Sequence, residues 1–130
     1  MDPLTVKLGN TTWPVTLPEF AVREELVAAW GACPEDDFMR LRRIAAAAVG
    51  LCTQVGKRAK LDYAKHRCDP VVYGGAAWSF LHEQGESLTD VVKAGAEIVS
   101  AIALQLAPRA SEVADRSGFS EAPAGGSTPT

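Results

Sequence analysis

The sequence predicts an α+β fold, mainly α: an N-terminal two-stranded β-hairpin, about four helices behind it, and a disordered C-terminal tail. Three observations carry this. Leu4-Thr5-Val6-Lys7-Leu8 alternates apolar and polar, Gly9-Asn10 follows, and Thr11-Thr12-Trp13-Pro14-Val15-Thr16-Leu17 returns as a second β-type run. Glycine with asparagine can supply the positive φ that a tight hairpin turn needs. From residue 18 the apolar period changes to that of helices. From Ser117 the chain reads Ser-Gly-Phe-Ser-Glu-Ala-Pro-Ala-Gly-Gly-Ser-Thr-Pro-Thr, a composition that supports no packed element. At 130 residues the chain suits one domain. The expected boundaries are a single domain over 1–116, made of a hairpin at 4–17 and a helical body at 18–116, and a tail at 117–130. A two-stranded hairpin is not stable alone. It lies on the helices behind it or pairs through an open edge with another copy.

The first helix is expected from Pro18 to Trp30. Proline suits the first helical position, where its missing N–H costs nothing, and Gly31 reads as the stop. Phe20, Val22, Leu26, Val27 and Trp30 form a broad apolar side, with Arg23, Glu24 and Glu25 on the wet side. The second helix is expected from near Pro34, with Glu35, Asp36 and Asp37 in its first turn, where the backbone dipole favours negative charge. Phe38, Leu41, Ile44, Ala45, Ala48, Val49 and Cys52 keep helical spacing. The run Ala45 to Ala48 favours helix and permits close approach of a neighbour, while Gly50 and Gly56 weaken the far end. Residues 56–69 are polar and basic and read equally as a frayed continuation or a loop.

A third helix begins at Asp69, the N-cap, with Pro70 in the first position, and runs to Gln84 before Gly85. Gly74-Gly75 costs about 1 kcal/mol per glycine relative to alanine, so tight packing against another backbone is expected there. The fourth opens on Ser87-Leu88-Thr89-Asp90, a capping box with Asp in place of Glu. Its stripe is Leu88, Val91, Val92, Gly95, Ile98, Val99, Ile102 and Leu106; Asp90, Lys93, Glu97 and Gln105 form the other face. Gly95 matches Gly74-Gly75, so the third and fourth helices are expected to form an antiparallel hairpin with a close crossing. Pro108 ends or kinks this helix, and Ser111 to Arg116 add a helical turn or two.

Composition excludes several classes. The net charge of −3 is too small to steer partners globally. Val91 to Leu106, the longest apolar-leaning stretch, is interrupted by Lys93 and Glu97 and is no membrane span. Met1-Asp2-Pro3-Leu4 has neither a basic n-region nor an apolar h-region, so no secretory leader and a cytoplasmic location are expected. Cys33, Cys52 and Cys68 are odd in number and irregularly spaced, against a disulfide framework or a zinc site, and read as reduced thiols.

Five constellations are candidates for chemistry. Arg40, Arg42, Arg43, Lys57, Arg58, Lys60, Lys65 and Arg67, opposed only by Asp62, could contact phosphates or form a solvated face. The chain is acidic overall, and nucleic acid is not the expected partner. His66 with Cys68, Asp62 and Asp69 could suggest a metal or a nucleophile–base pair, but residues two apart on a loop rarely converge. Trp78 and His82, four apart, line a pocket or belong to the core boundary. Glu35-Asp36-Asp37 could do acid–base work or bind metal, but a helix start explains them. The hairpin edge with Trp13 either caps the helices or is offered to another chain by strand addition; Pro14 confines its strand to an edge. No glycine-rich phosphate loop, Gly-x-Ser-x-Gly elbow or His-Glu-x-x-His occurs. No enzyme, cofactor or metal is expected.

The hairpin Leu8-Gly9-Asn10-Thr11-Thr12-Trp13-Pro14-Val15, the helical body and the polar tail together resemble the small tail assembly chaperones of long-tailed bacteriophages. Val72-Tyr73-Gly74-Gly75, Gly85 and the opening of the fourth helix are similar to small prophage tail-region proteins. The resemblance implies a non-enzymatic protein that binds the tape-measure protein, keeps its apolar helices soluble and helps recruit tail-tube subunits. Trp13, Val15, Phe20 and Trp30 are then the expected partner-binding residues, and a homo-oligomer is possible. The alternatives are a head–tail connector or minor virion protein, and a nucleic-acid-binding regulator using Arg40, Arg42, Arg43, Lys57, Arg58 and Lys60.

Overall fold

The computed structural model describes residues 4–106. Strands β1 (Thr5–Leu8) and β2 (Thr11–Pro14) pair antiparallel with Val6 opposite Trp13 and Leu8 opposite Thr11. Gly9 takes φ +58° at the turn, and its N–H donates to Asp90 Oδ2 at 3.2 Å. Val6 and Leu8 turn inward and are buried; Thr5 and Lys7 turn out. Beyond β2 the chain stays extended, and Thr16 N–H donates to Cys52 O at 2.7 Å, tying the hairpin to the far end of the second helix.

The helices among the described residues are α1 (Phe20–Ala32), α2 (Phe38–Cys52), α3 (Val55–Arg58), α4 (Pro70–Glu83) and α5 (Leu88–Leu106), with a 3-10 turn at Ala64–His66. The hairpin followed by helices is as the sequence predicts. Four local expectations are corrected. Helix α1 starts at Phe20, two residues after Pro18, because Val15 and Leu17 pack on the core in extended chain and Glu19 is still extended at ψ 160°. Gly31 lies inside α1 and does not stop it. Helix α2 starts at Phe38: Pro34 to Asp37 form a turn closed by Asp37 N–H to Pro34 O, and Asp37 is the N-cap, accepting from Arg40 N–H at 3.1 Å. Glu35 and Asp36 therefore precede the helix. Residues 56–69 are neither continuation nor plain loop. Thr53 breaks α2 at ψ 176°, bonding back to Val49 O and accepting from Val55 N–H, which starts α3.

The caps of α4 and α5 fall where the sequence places them, though the Asp90 carboxylate accepts from Gly9 N–H and does not close a capping box on Ser87 N–H. Asp69 accepts from Val71 N–H at 2.8 Å, Gly85 takes φ +83° after α4, and Ser87 Oγ accepts from Asp90 N–H. The expected pairing of these two helices is overturned. Both pack chiefly on α2. A Cβ on Gly74 would collide with the Arg43 carbonyl, and one on Gly95 would lie 2.6 Å from Ala45 Cα. The small residues of α4 and α5 thus accommodate α2, whose residues Ile44 to Gly50 are all buried. The core adds Val6, Leu8, Val22, Leu26, Tyr73, Leu81, Ile98 and Ile102 around this helix. Pro108, residues 111–116 and the tail at 117–130 lie outside the described residues.

Gly74→Ala and Gly95→Ala should each destabilise the fold at the upper end of the roughly 1–3 kcal/mol typical of overpacking. Gly31, with nothing within 4 Å of an added Cβ, should gain up to about 1 kcal/mol on substitution by alanine. Urea denaturation of the three variants checks the signs.

Candidate partner-binding groove

Helix α5 presents two faces. Val91, Ala94, Gly95, Ile98, Val99 and Ile102 are buried. Lys93, Ala96, Glu97, Ser100, Ala101 and Leu104 follow the same helical spacing one step round the cylinder. With Leu4 and Thr5 of the hairpin they line an open, mostly apolar groove of about 570 Å³. Leu104 is 79% exposed and Leu4 37%. Lys93 and Glu97 on the rim carry opposite charges, so the groove selects no net charge. Ala96, Ser100 and Ala101 form a floor on which another chain can come close. Sequence reasoning placed Lys93 and Glu97 on a wet face and missed this floor. The available signal was the second series of small residues at 96, 100 and 101, leading to Leu104.

The expected partner-binding residues do not share one site. Trp13 is half-buried in a separate cleft of about 180 Å³ with Thr11, Val55, Arg58, Phe80, Leu81, Gln84 and Glu86. Its Nε1–H is buried with no partner among the described residues, and the Arg58 guanidinium sits 4.7 Å from its ring centroid. Val15 and Trp30 are half-buried against the core. Phe20 is 53% exposed at the start of α1, with the Arg23 guanidinium 5.6 Å from its ring.

The basic residues fall into two groups. Arg40, Arg42 and Arg43 lie in the first half of α2; Lys57, Arg58 and Lys60 lie on or after α3. Gly56 packs on the Gly50 carbonyl, two helical turns or about 10 Å along α2 from Arg43. Arg42 stacks on Trp78 at 5.1 Å and Arg58 on Trp13. Two of the six cations thus lie over rings, an attraction of about 0.5–1 kcal/mol at exposed sites.

Asp69 is a helix cap, His66 Nδ1 lies 2.8 Å from Asp62 O, and the His66 ring meets Tyr73 edge to face. Among the described residues no three His, Cys, Asp or Glu side chains gather as metal ligands would. Trp78 and His82 lie 5.6 Å apart with tilted rings. Tyr63 Oη donates to Glu25 Oε1 at 2.9 Å, joining the 3-10 turn region to α1; burial, then this bond and the Glu25 charge, raise its pKa. Burial pushes the Cys52 thiol up to about 12, and burial followed by the neighbouring Cys52 pushes Tyr73 up to about 12. Among the described residues no helix is long and apolar enough to cross a membrane.

Compared with protein-family models, with curated proteins and with solved structures, the chain matches none.

A thiol reagent at pH 8 should label exposed Cys68 promptly and spare Cys52 until the chain unfolds. Cys52 and Tyr73 hold their protons more tightly folded than unfolded, where they titrate near 9.0 and 10.0. Their contribution to stability is complete below about pH 9 and is lost as pH rises toward 12. Urea midpoints should therefore fall between pH 8 and pH 11; an unchanged or rising midpoint would contradict this assignment.

Proposed function

We propose that this chain is a non-enzymatic assembly protein that holds a segment of another polypeptide in the groove between β1 and α5. The observation supporting this is the floor of Ala96, Ser100 and Ala101, open among the described residues, beside Leu104, 79% exposed. Covering one leucine is worth about 1.5–3 kcal/mol, and an apolar face with a thin charged rim is the usual form of a protein-binding surface. With the family resemblance, the partners are the tape-measure and tail-tube proteins of a phage or prophage, met in the host cytoplasm. A head–tail connector or minor virion protein would use the same face. The nucleic-acid reading is less favoured because two of its six cations already stack on tryptophans.

Co-expression of the tagged full chain with the proteins encoded beside it tests this at low and high salt. A long, helix-rich partner, insoluble alone, should be recovered at both. Ser100→Arg with Leu104→Asp should reduce recovery at least tenfold, whereas Arg40→Glu with Lys57→Glu should leave it within twofold. Recovery of nothing but nucleic acid, lost steeply with salt as phosphate contacts are, would overturn the reading.

A further inference from the structure

Among the described residues the outer edge of β1 has no strand beside it, and the register fixes which groups lie on it. In an antiparallel pair, facing residues alternate between those that exchange both hydrogen bonds and those that exchange none. The two-residue turn makes Leu8 and Thr11 a bonded pair, and Val15 N–H to Leu4 O at 2.9 Å sets the same phase at the other end. Val6 and Trp13 are therefore bonded across the hairpin. The N–H and C=O of Thr5 and Lys7 point the other way, and no group among the described residues is bonded to them. On β2 the outward positions are Thr12 and Pro14, and Pro14 has no N–H to offer. The edge with a full set of donors and acceptors is that of β1.

That edge borders the groove, since Leu4 and Thr5 form one wall and α5 the other. We infer that the outer edge of β1 accepts an extended segment of a partner polypeptide as a third strand, laid over Ala96, Ser100 and Ala101. This rests on the groove being the binding site. The added backbone would meet two N–H and two C=O groups, at Thr5 and Lys7. Its alternate side chains would turn down onto the small residues of α5, where there is room for valine, leucine or isoleucine, and the intervening ones would turn to water.

A second copy of this chain fits less well. Helix α5 packs against β1 far more than against β2, so it lies beneath the edge strand. A copy joining through its own β1 would stand one strand spacing away, about 4.8 Å, and would bring its α5 beneath that strand. Two helices require about 8–10 Å between axes. The favoured occupant is a strand with no body beneath it: a segment alternating apolar and polar residues.

The test uses the 15N-labelled full chain and amide hydrogen exchange, with the capped synthetic peptide Lys-Thr-Val-Thr-Val-Thr-Lys as probe. In the free chain the amides of Thr5 and Lys7 should exchange at least tenfold faster than those of Val6 and Leu8. Saturating peptide should slow Thr5 and Lys7 at least tenfold. Lys7→Pro removes an outward N–H and no hairpin bond, so it should abolish peptide binding with Val6 and Leu8 still protected. Ser100→Arg should also weaken binding. Peptide binding that Ser100→Arg abolishes but Lys7→Pro leaves intact would overturn strand addition and leave the groove reading standing. No binding of the peptide at millimolar concentration would overturn strand addition as well, and recovery of the co-expressed partner would still decide the groove. Thr5 and Lys7 already protected in the free chain would overturn it too: independent of concentration, the occupant is the chain's own 107–130 segment; dependent on concentration, it is a second copy.

Discussion

Gly74 and Gly95 bring the backbones of α4 and α5 against α2 at two points, Arg43 and Ala45. The rest of the molecule is arranged around those contacts. Four of the seven buried residues from Ile44 to Gly50 are alanine; each buries little area, and area is what the hydrophobic effect rewards. Close approach compensates by bringing the larger side chains of the neighbours, Tyr73, Leu81, Ile98 and Ile102, into one continuous cluster around α2. It also leaves α5 turned so that a second face lies along the hairpin.

The hairpin is held at several points, none of them a large interface. Val6 and Leu8 sink into the core, Gly9 is tethered to Asp90, and Thr16 to the carbonyl of Cys52. The last of these satisfies a carbonyl that the end of α2 would otherwise leave open. With β2 and its Pro14 facing away, the hairpin presents its β1 side to the groove. Trp13 helps by packing its ring beneath Arg58, where α3, α4 and the hairpin meet. The more exposed apolar surface lies elsewhere, at Leu104.

Local chemistry was legible in the sequence wherever a single side chain decides an outcome. The Gly9 turn, the Asp69-Pro70 start, the Ser87 cap and the Gly85 stop all satisfy or release a specific backbone group. Starts that depend on distant packing were not legible. Pro18 and Pro34 both carry a helix-start signal, yet the chain is committed to extended structure or a turn at each, by Thr16 bonding to Cys52 and by Asp37 closing on Pro34. The partner of a glycine was also hidden. Gly74, Gly75 and Gly95 announce close approach but not to what, and two small faces are as compatible with a common third helix as with each other. The groove was missed for a related reason: a stripe of alanine and serine carries little hydrophobic signal and becomes a floor only once a strand stands beside it.

The seven consecutive inaccessible residues of α2, Ile44 to Gly50, have a consequence for how the protein is made. Cys52 and Ile102 are fifty residues apart in the chain. At about 5–20 residues per second of translation, roughly 3–10 s separate completion of α2 from arrival of the helix that covers it. A helix forms in about a microsecond. For that whole interval α2 has secondary structure available but lacks one of its two principal covers, so a nascent chain carries an open apolar flank until α5 has been made. A nascent chain stalled before Val91 would offer that flank to whatever helix lies nearest.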